Sequence, residues 1–228
     1  MSIYAIGDLH LSFGNPEKTM EVFRGWQDYQ RRLEENWRAF IRPEDTVVLA
    51  GDISWAMRLC DAGPDLRFLD SLPGKKLLMK GNHDYWWTTR RKMELFFAEE
   101  GLTTLEILHN NSVEAGGLWL CGSRGWLFEG SQKYDPLIVA REEGRSRRSL
   151  EASPPEGEKL LFLHYPPVYG VQELPEFFGA MADYGVRQCF YAHIHGSGAA
   201  AACQKEHRGV SLRLVSADFL KFTPLLIR

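Results

Sequence analysis

The sequence predicts an α/β fold, and three observations carry that expectation. Continuous apolar runs such as "DTVVLAGD" and "KKLLMKGN" close in Gly and a polar residue, the pattern of strands covered on both faces. Between such runs lie segments whose apolar residues recur three or four apart, as one face of a helix requires. Past Gly101 the texture changes to short β-like runs separated by turn residues, which adds further sheet.

The elements follow in order. "SIYAIGD" is a short apolar strand ending in Gly7-Asp8. Trp26, Tyr29, Leu33, Trp37 and Phe40 mark one face of a helix over 26–40, with Asn15-Pro16 opening an earlier turn and Gly25 as a breaker. The two apolar strands already quoted come next, then a helix in "TTRRKMELFFAEEG" with its Gly stop. "TLEILHN", "SVEA" and "LWLCGSRG" are strands, as are "KLLFLHYPP" and "RQCFYAHIHG", with a helix in "LPEFFGAMADYG" between the last two and a late strand in "VSLRLVS". From Arg141 to Glu158 the chain is mixed in character. Four arginines against two glutamates between Arg141 and Arg148 could meet an anionic partner, but a solvated helix end followed by a Ser-Pro loop explains the stretch as well and is the preferred reading.

Composition narrows the functions. A chain of 228 residues with 44% hydrophobic content can bury a sizeable core, and one domain over 1–228 is the natural count. The formal net charge is −3, which argues against a dedicated nucleic-acid binder. No apolar run approaches the roughly 18 residues that span a bilayer, and the N-terminus reads as a strand, not a signal peptide. Cys60, Cys121, Cys189 and Cys203 show no CxxC spacing and are expected as buried free thiols of a cytoplasmic protein.

The polar residues at strand ends point to chemistry. Asp8, His10, Asp52, Asn82, His83, His164, His193 and His195 all stand at or just past the C-terminal ends of apolar runs, the edge where open α/β sheets place their ligands. Asp8 and His10 are two apart, as are His193 and His195, so in extended chain each pair points to one side. Five imidazoles, two carboxylates and an amide at one edge would cost several kcal/mol of desolvation if left uncompensated. Divalent cations remedy this, since imidazole and carboxylate suit zinc, iron or manganese and a carboxylate can bridge two ions.

The motifs "GDLH", "GDIS", "GNHD", the His of "LHYPP" and "AHIH" occur in an order that resembles the calcineurin-like metallophosphoesterase superfamily, over most of the chain. "GDISWAM" and "CGSRGW" are similar to a bacterial group of predicted phosphohydrolases. The resemblance implies a metallophosphoesterase fold: a four-layer α/β/β/α sandwich of two mixed β-sheets flanked by helices. It implies Asp8, His10 and His195 on one metal, Asn82, His164 and His193 on the other, and Asp52 as the bridging carboxylate. Two divalent ions (Mn, Fe or Zn) held roughly 3.5–4 Å apart would generate a hydroxide that attacks phosphorus in line with the leaving oxygen. His83 is then left to act on the leaving group. Asp84 either orients it or caps the following helix.

Two departures from the pattern stand out. Ser/Thr protein phosphatases continue the second motif as Gly-Asp-x-x-Asp-Arg-Gly, whereas here Trp55 and Ala56 take the Asp and Arg positions. The last motif begins with Ala192 in place of Gly, which a negative φ would tolerate. Among possible substrate contacts, Trp55, Trp86 and Tyr165 either stack a base or clasp an apolar group, or pack beneath loops; Arg124 is a candidate phosphate clamp. The expected function is a dinuclear phosphoesterase acting on a small phosphomonoester or phosphodiester, with a nucleotide-like substrate favoured. A phosphoprotein phosphatase and a non-catalytic scaffold are the alternatives.

Overall fold

The computed structural model describes residues 1–127 and 134–228. In chain order the elements begin β1 (Ile3–Ile6), α1 (Tyr29–Phe40), β2 (Thr46–Leu49), α2 (Gly63–Ser71), β3 (Lys75–Leu78), α3 (Arg90–Glu100), β4 (Leu105–Ile107), β5 (Asn111–Ala115) and β6 (Leu118–Ser123). They continue α4 (Pro136–Glu151), β7 (Lys159–Leu163), β8 (Val168–Tyr169), β9 (Gln172–Glu173), α5 (Pro175–Asp183), β10 (Gln188–Tyr191), β11 (Glu206–His207), β12 (Val210–Leu214) and β13 (Leu225–Leu226). The first sheet has the order β13-β1-β2-β3-β4 and the second β11-β12-β10-β7-β6-β5. Both are mixed. The neighbours β1, β2, β3 and β4 run parallel with β13 antiparallel, and β6, β7, β10 and β12 run parallel with β5 and β11 antiparallel at the edges.

The strict alternation of β-strand side chains creates the layers. Along β2, Val47 and Leu49 face a core shared with Leu33 and Trp37 of α1, Leu66 and Leu69 of α2, and Met93 and Phe97 of α3. Val48 faces the opposite way, into a core between the sheets with Leu160, Phe162 and Phe190. The remaining residues of β7, Leu161 and Leu163, pack outward with α4 and α5 through Val139, Leu150, Phe177 and Met181. The result is the four-layer α/β/β/α sandwich expected, with both sheets' parallel strands ending at one edge.

The structure corrects the sequence reading at three places. α1 starts at Tyr29, not Trp26, because Gly25 and Asp28 both take positive φ; Trp26 is buried ahead of it. α2 was not expected, since its opening Gly63-Pro64 reads as a turn although Pro is well placed in a first helical turn. α4 is a full helix of 16 residues, not a helix end. Asp135 caps it by accepting from the Leu137 and Ile138 N–H groups, and the buried face beneath it includes Glu142, Ser146 and Ser149, so apolar periodicity does not reveal it. Of the cysteines, Cys121 and Cys189 are buried and free, but Cys60 is exposed. No helix among the described residues is long and apolar enough to cross a membrane.

Candidate metal centre

Five strand ends deliver the site. Asp8 and His10 follow β1, Asp52 follows β2, Asn82 follows β3, His164 follows β7, and His193 and His195 follow β10. The two sheets are tied at this edge: the Gly7 N–H donates to Val215 O at 2.7 Å and the Ala217 N–H to Gly7 O at 2.9 Å. A Cβ on Gly7 would fall 2.6 Å from the Ala192 Cβ, so the methyl that departs from the family motif is accommodated by a glycine across from it. Ala192 itself is absent from the positive-φ residues, and its Cβ is unstrained.

Four of the donors sit in the left-handed region: Asp8 (φ 56°), His10 (46°), Asp52 (50°) and His193 (73°). Each such residue costs about 1–3 kcal/mol and persists only where its surroundings hold it. Here the hold is hydrogen bonding of their backbone N–H groups. The Asp8 N–H donates to Gly51 O at 2.9 Å, His10 N–H to Asp52 O at 2.9 Å, and His193 N–H to Asp8 Oδ2 at 2.7 Å.

Two donor groups result. Asp8, His10 and His195 each present a ligand atom within 4.8 Å of the others, and so do Asp52, His164 and His193. Asp52 Oδ2 lies between them, 3.8 Å from His10 Nε2 and 3.6 Å from His164 Nε2. Asn82 Oδ1 joins the second group, 2.6 Å from His164 Nε2 and 2.9 Å from His193 Nδ1.

The donor set fits cations and fits nothing else as well. His164 Nδ1 faces the Ala50 carbonyl at 2.9 Å while its Nε2 faces the Asn82 oxygen. Burial, then the charges of neighbouring histidines, hold this imidazole well below its usual pKa, so it is neutral and has one N–H to give. One of its two contacts is therefore lone pair against lone pair, which a cation resolves. His10 and His195 repeat the theme with Nε2 atoms 3.3 Å apart, and burial likewise holds His10 well below its usual value. Asp8 Oδ1 is buried without a hydrogen-bond partner. Burial raises the Asp8 carboxyl, and raises that of Asp52 well above the ordinary range with the nearby Asp84 and Asp8 charges adding to it. Buried carboxylates in that state call for positive charge.

Supporting contacts orient the donors. Asp218, just past β12, faces His195 Nδ1 at 3.1 Å and accepts the Gly196 N–H at 2.8 Å. That fixes His195 with Nε2 inward, the usual task of a carboxylate behind a histidine ligand. Burial alone would lower the His195 pKa, but Asp8 and Asp218 together raise it. The sequence reading missed Asp218 because it lies four residues beyond an ordinary strand and belongs to no motif.

One of the two roles anticipated for Asp84 is not seen. The N-cap of α3 is Thr89, so Asp84 does not cap that helix. Its fully buried carboxylate accepts five N–H groups: Ile53 at 2.8 Å, Ser54 at 3.3 Å and the Trp86 indole at 2.9 Å on Oδ1, with Asp52 at 2.9 Å and Gly81 at 2.8 Å on Oδ2. It staples the loop after β2 to the loop after β3. His83 belongs to neither donor group. Its backbone N–H donates to Asp52 Oδ1 at 2.8 Å, and its ring lies 4.9 Å from that of Trp55 and 5.8 Å from that of His10.

A cleft of 510 Å³ opens on the centre, with His10, Asp52, His83, His193 and His195 on its floor. Of the expected substrate contacts, Trp55 lines it and the other three do not. Trp86 is 2% exposed and spends its indole N–H on Asp84. Tyr165 packs behind the donors, its ring 4.3 Å from that of His193. Arg124 is drawn instead toward α4, its Nη2 3.4 Å from Glu142 Oε1, an oxygen shared with Arg141 and Arg145. That fully buried glutamate thus pairs with two arginines of the arginine-rich stretch, while Arg147 pairs with Glu143 and Asp183.

Residues 1–197 match the calcineurin-like phosphoesterase family. No curated protein sequence matches. Among solved structures, a phosphopantetheinyl hydrolase from Mycobacterium tuberculosis is similar at a TM-score of 0.59 and 15% identity, covering 99% of this chain and 95% of that one. A protein of unknown function from Aquifex aeolicus is similar at a TM-score of 0.56 and 17% identity with the same coverage. TT1561 of Thermus thermophilus covers 85% of this chain and 81% of its own at a TM-score of 0.54 and 16% identity.

Proposed function

The chain belongs to the calcineurin-like phosphoesterase family, and on that premise we propose that it is a dinuclear metal-dependent phosphoesterase acting on small phosphorylated molecules. The observation that carries this reading is the pair of donor groups with Asp52 within reach of both, at the floor of a cleft that His83 also lines. Asp8, His10 and His195 would hold one divalent ion, Asn82, His164 and His193 the other, and Asp52 both. Manganese, iron and zinc all suit this mixture of imidazole, carboxylate and amide. Bound there, such ions supply Lewis-acid charge for the phosphoryl oxygens and a nucleophile available near neutral pH.

The chain's own residues do the rest. Asp84 fixes the relative position of the second and third motifs, and the bond from the His83 backbone N–H to Asp52 Oδ1 ties His83 to the donor loop. His83 stands beside the centre, in place to protonate the departing ester oxygen, help typically worth ~10²–10⁴-fold. Trp55 and Ala56 stand where a protein phosphatase keeps its Asp and Arg, which supports a small-molecule substrate over a phosphoprotein. A scaffold role is disfavoured because all eight site residues are present.

The test is a comparison of kcat/KM for bis-p-nitrophenyl phosphate and a phosphothreonine peptide, using protein stripped with chelator and reloaded with Mn²⁺, Zn²⁺ or Fe²⁺. We expect the diester to be the better substrate. Faster peptide turnover would overturn the small-molecule assignment, and no turnover of either with any metal would overturn the phosphoesterase assignment.

A further inference from the structure

The wall of the cleft is apolar. Met20, Phe23, Leu127 and Ile194 form it above the donor floor, with Trp55, Tyr169 and Gln172 beside them. No Lys or Arg is among the described residues lining it. One face of Trp55 is stacked on His10, with ring centroids 4.7 Å apart and planes at 20°, so that face is closed to a base. Tyr169 donates its hydroxyl to Gly198 O at 3.3 Å. The edge of a base would then find Gln172 as the one side-chain amide in the described lining.

The apolar surface also continues outward. Phe23 is 54% and Val22 78% exposed, and Met20, Phe23 and Trp55 line an adjoining hollow of 220 Å³ that Lys18 and Thr19 also line. Isolated surface apolar residues need no explanation, but a contiguous set running out of a catalytic cleft does.

Resting on the phosphoesterase reading above, we propose that the group esterified to the substrate phosphate is an uncharged apolar chain seated on Met20, Phe23, Leu127 and Ile194. The charge balance selects it. Bound cations would gather positive charge at the floor, where the phosphate would be held, whereas a second phosphate or carboxylate on the wall would be desolvated with no Lys or Arg opposite it among the described lining residues. An alkyl or aryl chain needs only burial. The nucleotide-like substrate favoured by the sequence is thereby replaced by an apolar ester.

The experiment uses a series of alkyl p-nitrophenyl phosphodiesters, from methyl to octyl, with Mn²⁺-loaded protein below the critical micelle concentrations. In each, a water oxygen bonds to phosphorus, the bond to p-nitrophenolate breaks, and the water's proton passes to solvent, so only the retained chain varies. We expect kcat/KM to rise by up to about fourfold per methylene, the value of burying one CH₂, and the octyl ester to exceed thymidine 5′-p-nitrophenyl phosphate. Phe23→Ala should flatten that dependence, read as the octyl-to-methyl ratio within each variant. A flat or falling series, or a preferred thymidine ester, would overturn the apolar assignment while leaving phosphoesterase activity standing. Alkylphosphonates, which do not turn over, provide the second readout. Their Kd by calorimetry should fall along the same series, and chain-length-independent binding would overturn the proposal even if no ester were cleaved.

Discussion

Replacing Asp84 with Asn separates a structural staple from a chemical group. The aspartate accepts two N–H groups on one oxygen and three on the other, and an amide keeps only one oxygen. In whichever orientation the Asn settles, at least two buried donors face an NH₂ group. Each buried donor left unsatisfied costs about 1–3 kcal/mol, so the loss is about 2–6 kcal/mol out of a total of about 5–15 kcal/mol for a typical domain. At roughly 2–4 °C per kcal/mol for a chain of this size, Tm should fall by about 5–20 °C. Thermal unfolding of the chelated protein checks this, because it reads the staple with no metal contribution. The Mn²⁺ affinity should fall in parallel, since two of the five donors flank Asp52 and Gly81. A variant that melts within about 1 °C of wild type, yet has lost turnover with both metals bound, would refute the reasoning. Asp84 would then act in the chemical step.

Further expectations follow from the same geometry. Protein reconstituted with excess Mn²⁺ should approach two equivalents by elemental analysis, and Asp52→Asn should lose most of the second; a wild-type plateau at one would contradict the shared carboxylate. His83→Ala should keep both metals and lose ~10²–10⁴-fold in turnover, with a smaller loss for p-nitrophenyl esters than for alkyl leaving groups; loss of a metal, or the same loss for every leaving group, would remove His83 from that role. Asp218→Asn should weaken one metal by about 10–100-fold, the usual effect of losing the partner of a ligating histidine, as measured by Mn²⁺ titration; unchanged affinity would make Asp218 incidental. Gly81→Ala should disable the centre without replacing a ligand, because its Cβ would fall 2.0 Å from Asp52 Oδ1; full metal occupancy in that variant would mean the loop yields.

How much of the fold was legible depended on what each element buries. β2, β3, β7 and β10 bury both faces over most of their length, so their runs are apolar toward the C-terminal end and stop visibly in Gly or a polar residue. α1 and α3 bury one apolar stripe and show the helical period. α4 hid because its inward face meets the rim of the second sheet with polar groups. Ser149 donates to Asn111 O at 2.6 Å and accepts the Gly122 N–H at 2.8 Å, while Glu142 collects three guanidinium groups. A helix buried through hydrogen bonds and ion pairs carries no hydrophobic period for a sequence to display. α2 hid for a different reason: its 9 residues leave space for little more than two turns of pattern.

The site divides along a similar line. Its metal donors stand two apart, or next to Gly, at strand ends, and their chemistry is too costly to bury without a cation, so residue type and position together single them out. The residues that shape what the site accepts have no such mark. Met20 and Phe23 come from a stretch of short 3-10 turns ahead of α1, Leu127 from beyond β6 and Ile194 from between two donors. Only the closure of the two sheets brings them to one wall. Trp55 shows how far residue type alone could mislead: an aromatic beside a ligand reads as a base-stacking platform, yet its face is spent against His10. The same contact bears on the missing Asp-Arg pair of the protein phosphatases. With Ala56 where those enzymes keep a guanidinium, and an indole at Trp55 where they keep an Asp, the cleft lacks a cation and gains an apolar ring, and both changes would favour the apolar chain proposed above over a phosphoprotein.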